Sequence, residues 1–390
     1  MSFNPEAATK AHMDALSAAE VALSRDYTLG NHWLILAGLI VSALVTWIIV
    51  KSGILDRVFG LLSDRWANAR VFCVALAFAL VSALLTLPYD IYTDWWRETE
   101  YGRTGQPIGD YLAQGAIGIA LSSILLSVFI VGLYFLLRRA GRAWWAWAGG
   151  LVAVTISIML LLSPALIEPL FNDFEPVPEG EVRDAVLAMA QEAGIPEDRI
   201  FVFDGSRQSN NFTANVSGIG SSARIAISDV ALGEASLDEV RAVTGHEIGH
   251  YVLGHVWRSV IVLSLLAVAV FFITARAYPF FARMFGSTAS IEDVRGLPVL
   301  LFTFGLVFTL ANPITNTLTR VGEREADAYS LATVGLPDAL SEALVKTAEY
   351  RYPYAGPVEE ALFYTHPTVE NRVRAAMEWK AANMATDGSE

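Results

Sequence analysis

Six stretches of this 390-residue chain run for 17 residues or more without one charged side chain. They cover 33–50, 71–87, 112–137, 144–166, 259–275 and 298–318. A helix crosses the roughly 30 Å hydrocarbon layer of a bilayer in about 20 apolar residues, and inside that layer backbone polar groups must be satisfied within the protein. The runs are continuous rather than alternating, so the expected fold is mainly α and polytopic, with about six transmembrane helices. Trp33, Trp47, Trp144, Trp145 and Trp147 stand near span ends, where indoles anchor at the interface. The last run carries Asn312, Pro313 and Asn316, whose polar groups should face protein or water. The first 32 residues are mixed in charge without an apolar core, so no cleavable signal peptide is expected. Cys73 is the single cysteine, which excludes an intramolecular disulfide.

Between the fourth and fifth runs the chain turns polar. VRDAVLAMAQEAGI (182–195) has helical spacing, whereas 199–206 and 223–232 have the composition of strands, with a hairpin between them. SLDEVRAVTGHEIGHYVLGHV then opens on Ser236 with Glu239 three residues later, a capping box that starts a helix. Beyond the last run, 319–383 reads as a polar helical region. The expected organisation is a polar N-terminal segment (1–32), four spans (33–166), the first part of an extramembrane domain (167–257), two spans (258–318) and the second part of that domain (319–390). Two spans return the chain to the face it left, so both parts can meet.

The HEIGH stretch carries the chemistry. His246 and His250 are four apart, so a helix stacks their rings on one face, with Glu247 beside them. Two imidazoles can hold Zn²⁺, which lowers the pKa of a bound water, and an adjacent carboxylate can take its proton. If the helix continues, His255 lies on the far side about 13 Å along the axis from His246. It is then no ligand and faces a neighbouring segment or the membrane interface. A catalytic zinc needs a third protein ligand. Among carboxylates the best candidates are Glu323 and Asp327, four apart on an expected helix, one to ligate and the other to orient an imidazole. Glu325, two positions on, points elsewhere.

HEIGHYVLGH and the downstream EREAD resemble the HExGHxxxxH and ExxAD elements of the M48 peptidases, within them the Ste24 type (type I CAAX prenyl endopeptidases). IEPLFNDFEPVPEGEVR (167–183) and LPYDIYTDWWRETEYG (87–102) are similar to further segments of that type. The resemblance implies a gluzincin-like zinc peptidase domain containing a small β-sheet. It assigns His246, His250 and Glu323 to one Zn²⁺ per chain, Glu247 to the general base and Asp327 to a supporting role behind a ligand. THPTVENRV (365–373) matches a His-Pro element, which makes His366 and Arg372 candidates for stabilising an oxyanion or holding a substrate's carboxylate end. Ala214, Asn215, Val216, Ser217 and Gly218 fall on the edge strand that pairs with an extended substrate. Relatives in eukaryotes have seven spans; the one without a counterpart here would precede residue 33.

The expected activity is hydrolysis of peptide bonds by a membrane-embedded zinc endopeptidase, similar to CAAX prenyl proteases. The competing class is a non-enzymatic membrane protein, a metal transporter or an inactive scaffold, but a transporter has no use for Glu247. Expected partners are the lipid bilayer and a peptide or membrane-associated protein, a prenylated CAAX-like one among them. The net charge of −13 argues against nucleic acid. The expected location is a bacterial inner membrane. The resemblance puts the catalytic domain on the cytoplasmic side, yet loops on the opposite face carry ten Lys and Arg against four on the catalytic face, the reverse of the positive-inside rule.

Overall fold

A computed structural model describes residues 3–218 and 220–387. Helix α1 (Pro5–Met13) is capped by Asn4, and a second start follows at once. The Ser17 side chain accepts from the Glu20 N–H while Glu20 accepts from the Ser17 N–H, which begins α2 (Ala18–Ser52) well ahead of the apolar run at 33. Then come α3 (Ala67–Asp90), α4 (Ile108–Ala140) and α5 (Trp144–Leu162), the last two joined at Gly141, whose φ of 52° reverses the chain. In the extramembrane part α6 spans Glu181–Glu192 and α7 Leu237–Val252. Helices α8 (His255–Phe285) and α9 (Leu297–Val334) complete the spans, and α10 (Pro337–Lys346) and α11 (Val369–Asp387) follow. Shorter helical turns lie between.

Among the described residues, five continuous helical stretches are long and apolar enough to cross a membrane. One of them, Ile108–Leu170, contains both α4 and α5, so six long apolar helices result. The chain is a multi-pass membrane protein. Val45, Ile49, Val74, Ile130, Leu133, Leu137, Phe271, Leu297 and Leu300 form the core between these helices.

Helix α9 positions the site. At 1.5 Å per residue its 38 residues reach about 57 Å, nearly twice the hydrocarbon thickness. The same rod that spans the membrane therefore projects beyond it. The last span and the polar helical region that follows it from 319 are one unbroken helix, which ends at Gly335, at φ 70°. Asn316 is buried and donates to the Leu362 carbonyl at 2.8 Å, so its amide faces protein.

The small sheet comprises β1 (Phe174–Pro176), β2 (Ile200–Phe203), β3 (Ala214–Ser217) and β4 (Arg224–Ser228), in the order β1-β2-β4-β3. Strands β3 and β4 form the expected hairpin, and β2 runs parallel to β4. The strands are shorter than the sequence suggests, because Asp229 opens a helical turn capped by Ser228. Ile200, Ile225 and Ile227 pack with Val186, Ala190, Val240 and Ile248 of α6 and α7. A separate cluster joins Met13 of α1 to Leu340, Val373 and Met377, so the N-terminal helix rests on the C-terminal ones.

Candidate metal centre

The capping box expected at Ser236 and Glu239 starts α7: the Glu239 carboxylate accepts from the Ser236 N–H at 2.7 Å. Two glycines on this helix let α9 approach. A Cβ at Gly245 would stand 2.5 Å from Val334 Cγ2, and one at Gly249 would stand 3.2 Å from Ala326 Cα. Ser330 of α9 donates to the Ala242 carbonyl at 2.7 Å, locking the pair. Helix α9 thereby brings Glu323 and Asp327 onto the face that carries the histidines.

The Nε2 atoms of His246 and His250 are 3.1 Å apart, and each lies 3.4 Å from a Glu323 oxygen. These three residues each turn a donor atom to one point, all within 4.8 Å of one another. Among the described residues Glu323 Oε2 is buried without a hydrogen-bond partner, with Arg372 Nη2 3.5 Å away. Such an oxygen is costly unless something fills the point it faces. Two imidazoles and a carboxylate that leave a fourth position open fit a catalytic Zn²⁺. Burial disfavours charge on His246, but Asp327 and Glu323 outweigh it and raise its pKa to about 9.

Behind each imidazole stands a partner. His246 Nδ1 donates to Asp327 Oδ1 at 2.8 Å, which leaves Nε2 free as a ligand. Arg372 in turn donates to both Asp327 oxygens, at 2.8 and 2.6 Å. His250 is backed by His255, with Nδ1 to Nδ1 at 2.9 Å. That overturns the expected placement of His255. Helix α7 stops at Val252, Gly254 takes φ 67°, and a new helix begins at His255. The turn folds His255 back against His250 instead of carrying it about 13 Å along the axis from His246. His255 is still directed at His250 rather than at the point the three donors share. Its Nε2 lies 2.9 Å from Glu325, out of line for a hydrogen bond, and Glu325 also accepts from Arg258 at 2.6 Å. Glu325 does face away from the donors, as expected.

Glu247 points into a cleft of about 240 Å³ and makes no hydrogen bond or ion pair among the described residues. Burial raises its carboxyl above the ordinary value, against the pull of His246 and His250. A carboxylate held this way is ready to accept a proton. His366 lines the same cleft with Nε2 3.2 Å from Glu323. Burial, with Arg351 beside it, lowers its pKa to about 3, so its ring is neutral. Arg320, one turn before Glu323, donates to the Glu360 and Tyr364 carbonyls and so holds the loop that delivers His366. Of the hairpin residues, Ala214 lines the cleft beside Thr213, and Ala214–Ser217 is an edge strand with one side of its backbone unpaired in the sheet. Gly218 follows at φ 83°, in a turn too tight for a Cβ. Reading the sequence missed Gly245 and Gly249 as packing positions, and Arg351, Tyr350 and Thr347 as cleft residues. The glycine pair at i, i+4 was a visible signal for close helix approach; nothing in the sequence marked the other three.

Residues 176–380 match the peptidase family M48, and residues 4–173 match the CAAX prenyl protease N-terminal family, described as five membrane helices. The chain is 26% identical over 388 residues to the uncharacterized metalloprotease YhfN of Bacillus subtilis, covering 95% of this chain and 89% of the relative. It is 28% identical over 333 residues to CAAX prenyl protease 1 of Saccharomyces cerevisiae, covering 79% of this chain and 72% of the relative. The crystal structure of S. mikatae Ste24p superposes with a TM-score of 0.76 at 21% identity, covering 93% of this chain and 90% of the other.

Proposed function

Since the chain belongs to peptidase family M48 and is a membrane metalloendopeptidase, we propose that its metal is Zn²⁺, held by His246, His250 and Glu323. The observation that carries this reading is the convergence of those three donors beside an unpartnered Glu247. When bound, the ion supplies the Lewis acidity that makes water a nucleophile at neutral pH. Glu247 takes the proton and passes it to the leaving amine. Asp327, itself gripped by Arg372, fixes the ring and tautomer of His246. His366, a neutral donor at the cleft wall, supports the oxygen on which charge develops. The open side of Ala214–Gly218 pairs with the peptide backbone and sets its register. Nothing observed favours a transporter or an inactive scaffold.

The substrates are peptides or membrane-associated proteins, and a prenylated CAAX-like protein is among them, a reading supported by the likeness to CAAX prenyl protease 1 of Saccharomyces cerevisiae. The site faces the cytoplasm across a bacterial inner membrane, although the loop-charge balance stands against that side. In a Cys73→Ser background, Glu192→Cys should resist a membrane-impermeant maleimide in intact cells and react after permeabilisation; labelling in intact cells would reverse the sidedness. For the chemistry, purified wild type and Glu247→Gln are compared on farnesylated and plain peptides of one sequence. Glu247→Gln should retain its zinc yet lose at least about 100-fold in turnover. Wild-type rates in that variant would end the peptidase reading, and equal rates on both peptides would end the prenyl reading alone.

A further inference from the structure

We propose that Arg351 is an anion subsite that binds a carboxylate of the substrate and so determines which peptides are cut. The proposal rests on the peptidase reading of the same cleft. Arg351 lines that cleft beside Thr347, Tyr350, His366 and Arg372, yet belongs to no helix or strand. Its backbone is nonetheless held from both sides. Glu349 pairs with Arg103 at 2.6 Å, and the Arg103 guanidinium sits 4.9 Å over the Tyr350 ring. On the other side the Tyr352 N–H donates to Thr28 Oγ1 at 2.9 Å, and Arg25 lies 4.6 Å over the Tyr352 ring. Glu349, Tyr350 and Tyr352 are thus engaged with α2 and the loop before α4. Arg351 between them, at φ −151° and ψ 112°, is left with its guanidinium in the cleft.

That guanidinium has no carboxylate partner and no side-chain hydrogen bond among the described residues; its one ring contact is Tyr350, at 5.8 Å. The neighbouring acids are committed elsewhere. Asp327 accepts from Arg372 and His246, and Glu323 faces His246, His250 and His366, with Arg372 Nη2 3.5 Å from its Oε2. Arg372 is spent on Asp327 and so is poorly placed to hold a second carboxylate. Burial works against the charge on Arg351, and Arg372 adds to it, more strongly than Tyr350 and Glu323 support that charge, yet an arginine stays ionised in proteins. A buried cation with no carboxylate within ion-pair distance among the described residues carries a desolvation penalty, and a ligand that brings a paired carboxylate lowers it. Guanidinium forks bind carboxylates with two parallel hydrogen bonds, which makes a carboxylate the fitting ligand class. Its source is either the free C-terminus of the peptide or an acidic side chain.

Three peptides separate the sources: one with a free C-terminus, the same with a C-terminal amide, and an amide carrying Glu on the leaving side. Wild type, Arg351→Gln and Arg351→Lys are compared for kcat and KM, and binding of each labelled peptide is measured on the Glu247→Gln background. Wild type should favour one carboxylate peptide over the plain amide by at least about tenfold in kcat/KM, expressed mainly in KM. Arg351→Gln should bring that ratio to within a few-fold of unity with zinc content unchanged, and Arg351→Lys should recover part of it. Preference for the free acid identifies the C-terminus; preference for the Glu amide identifies a side chain. A uniform loss on all three peptides in Arg351→Gln, or no carboxylate preference in wild type, overturns the subsite. If wild type turns over none of them while binding still discriminates by the Arg351 charge, the peptidase reading fails and the subsite stands.

Discussion

His255 shows how much one backbone angle decides. In a continuous helix it would have no relation to the metal point; the turn at Gly254 makes it the partner of His250. If His250 offers Nε2 to the proposed metal, its Nδ1 would carry the proton and donate to His255 Nδ1, and His255 would hold its own proton on Nε2 beside Glu325. His255→Ala leaves the three ligands in place but frees the His250 ring. It should bind zinc at full stoichiometry with an affinity lower by about 10- to 100-fold, read by chelator competition. His250→Ala should instead empty the site. If the two variants lose zinc alike, His255 is a ligand and the backing role is wrong.

At the scale of elements, the site is a contact between two helices. Gly245 and Gly249 sit one position before each histidine, so the seam against α9 and the donor face are adjacent strips of one helix. Ala is the better helix former by about 1 kcal/mol, so Gly245→Ala would stabilise α7 if it stood alone. Here the added methyl meets Val334 Cγ2 at 2.5 Å and Ser330 Oγ at 3.0 Å. Overpacking of this kind costs about 1–3 kcal/mol and moves α9, and with it Glu323, away from the histidines. Gly245→Ala should therefore lower both the unfolding temperature and the zinc affinity in detergent. Gly60→Ala, where nothing lies within 4 Å, is the control and should do neither. A Gly245→Ala protein as stable and as zinc-loaded as wild type would show that the seam is looser than it looks.

At the scale of the whole molecule, the three converging donors come from two distant parts of the chain. Glu323 stands 73 positions after His250, with two membrane spans between them. An ion that binds only when both parts are assembled stabilises the folded state by mass action, about 2.7 kcal/mol at a hundredfold excess over Kd. Adding zinc to stripped wild type should raise its unfolding temperature in a concentration-dependent way. Glu323→Ala should show little of that rise. An equal rise in both would mean that the ion bridges no such contact.

The sequence by itself determined the membrane class, because seventeen or more uncharged apolar residues leave a chain little choice but to span a bilayer as helices. It also placed His246 and His250 on one face, since a four-residue spacing is local geometry, and it marked the start of their helix through Ser236 and Glu239. These features depend on neighbours a few positions away. Tertiary structure decided the rest. Gly254 can continue a helix or adopt positive φ, and the local sequence does not say which; the fold has the turn that returns His255. Arg372 meets Asp327 across 45 positions, and Arg351 enters the cleft because Thr28, Arg25 and Arg103 hold the residues on either side of it. No period or motif encodes such contacts. They exist only once helices from distant stretches of the chain have packed, and there the choice of side chain records who the neighbour is, not where it lies in the sequence.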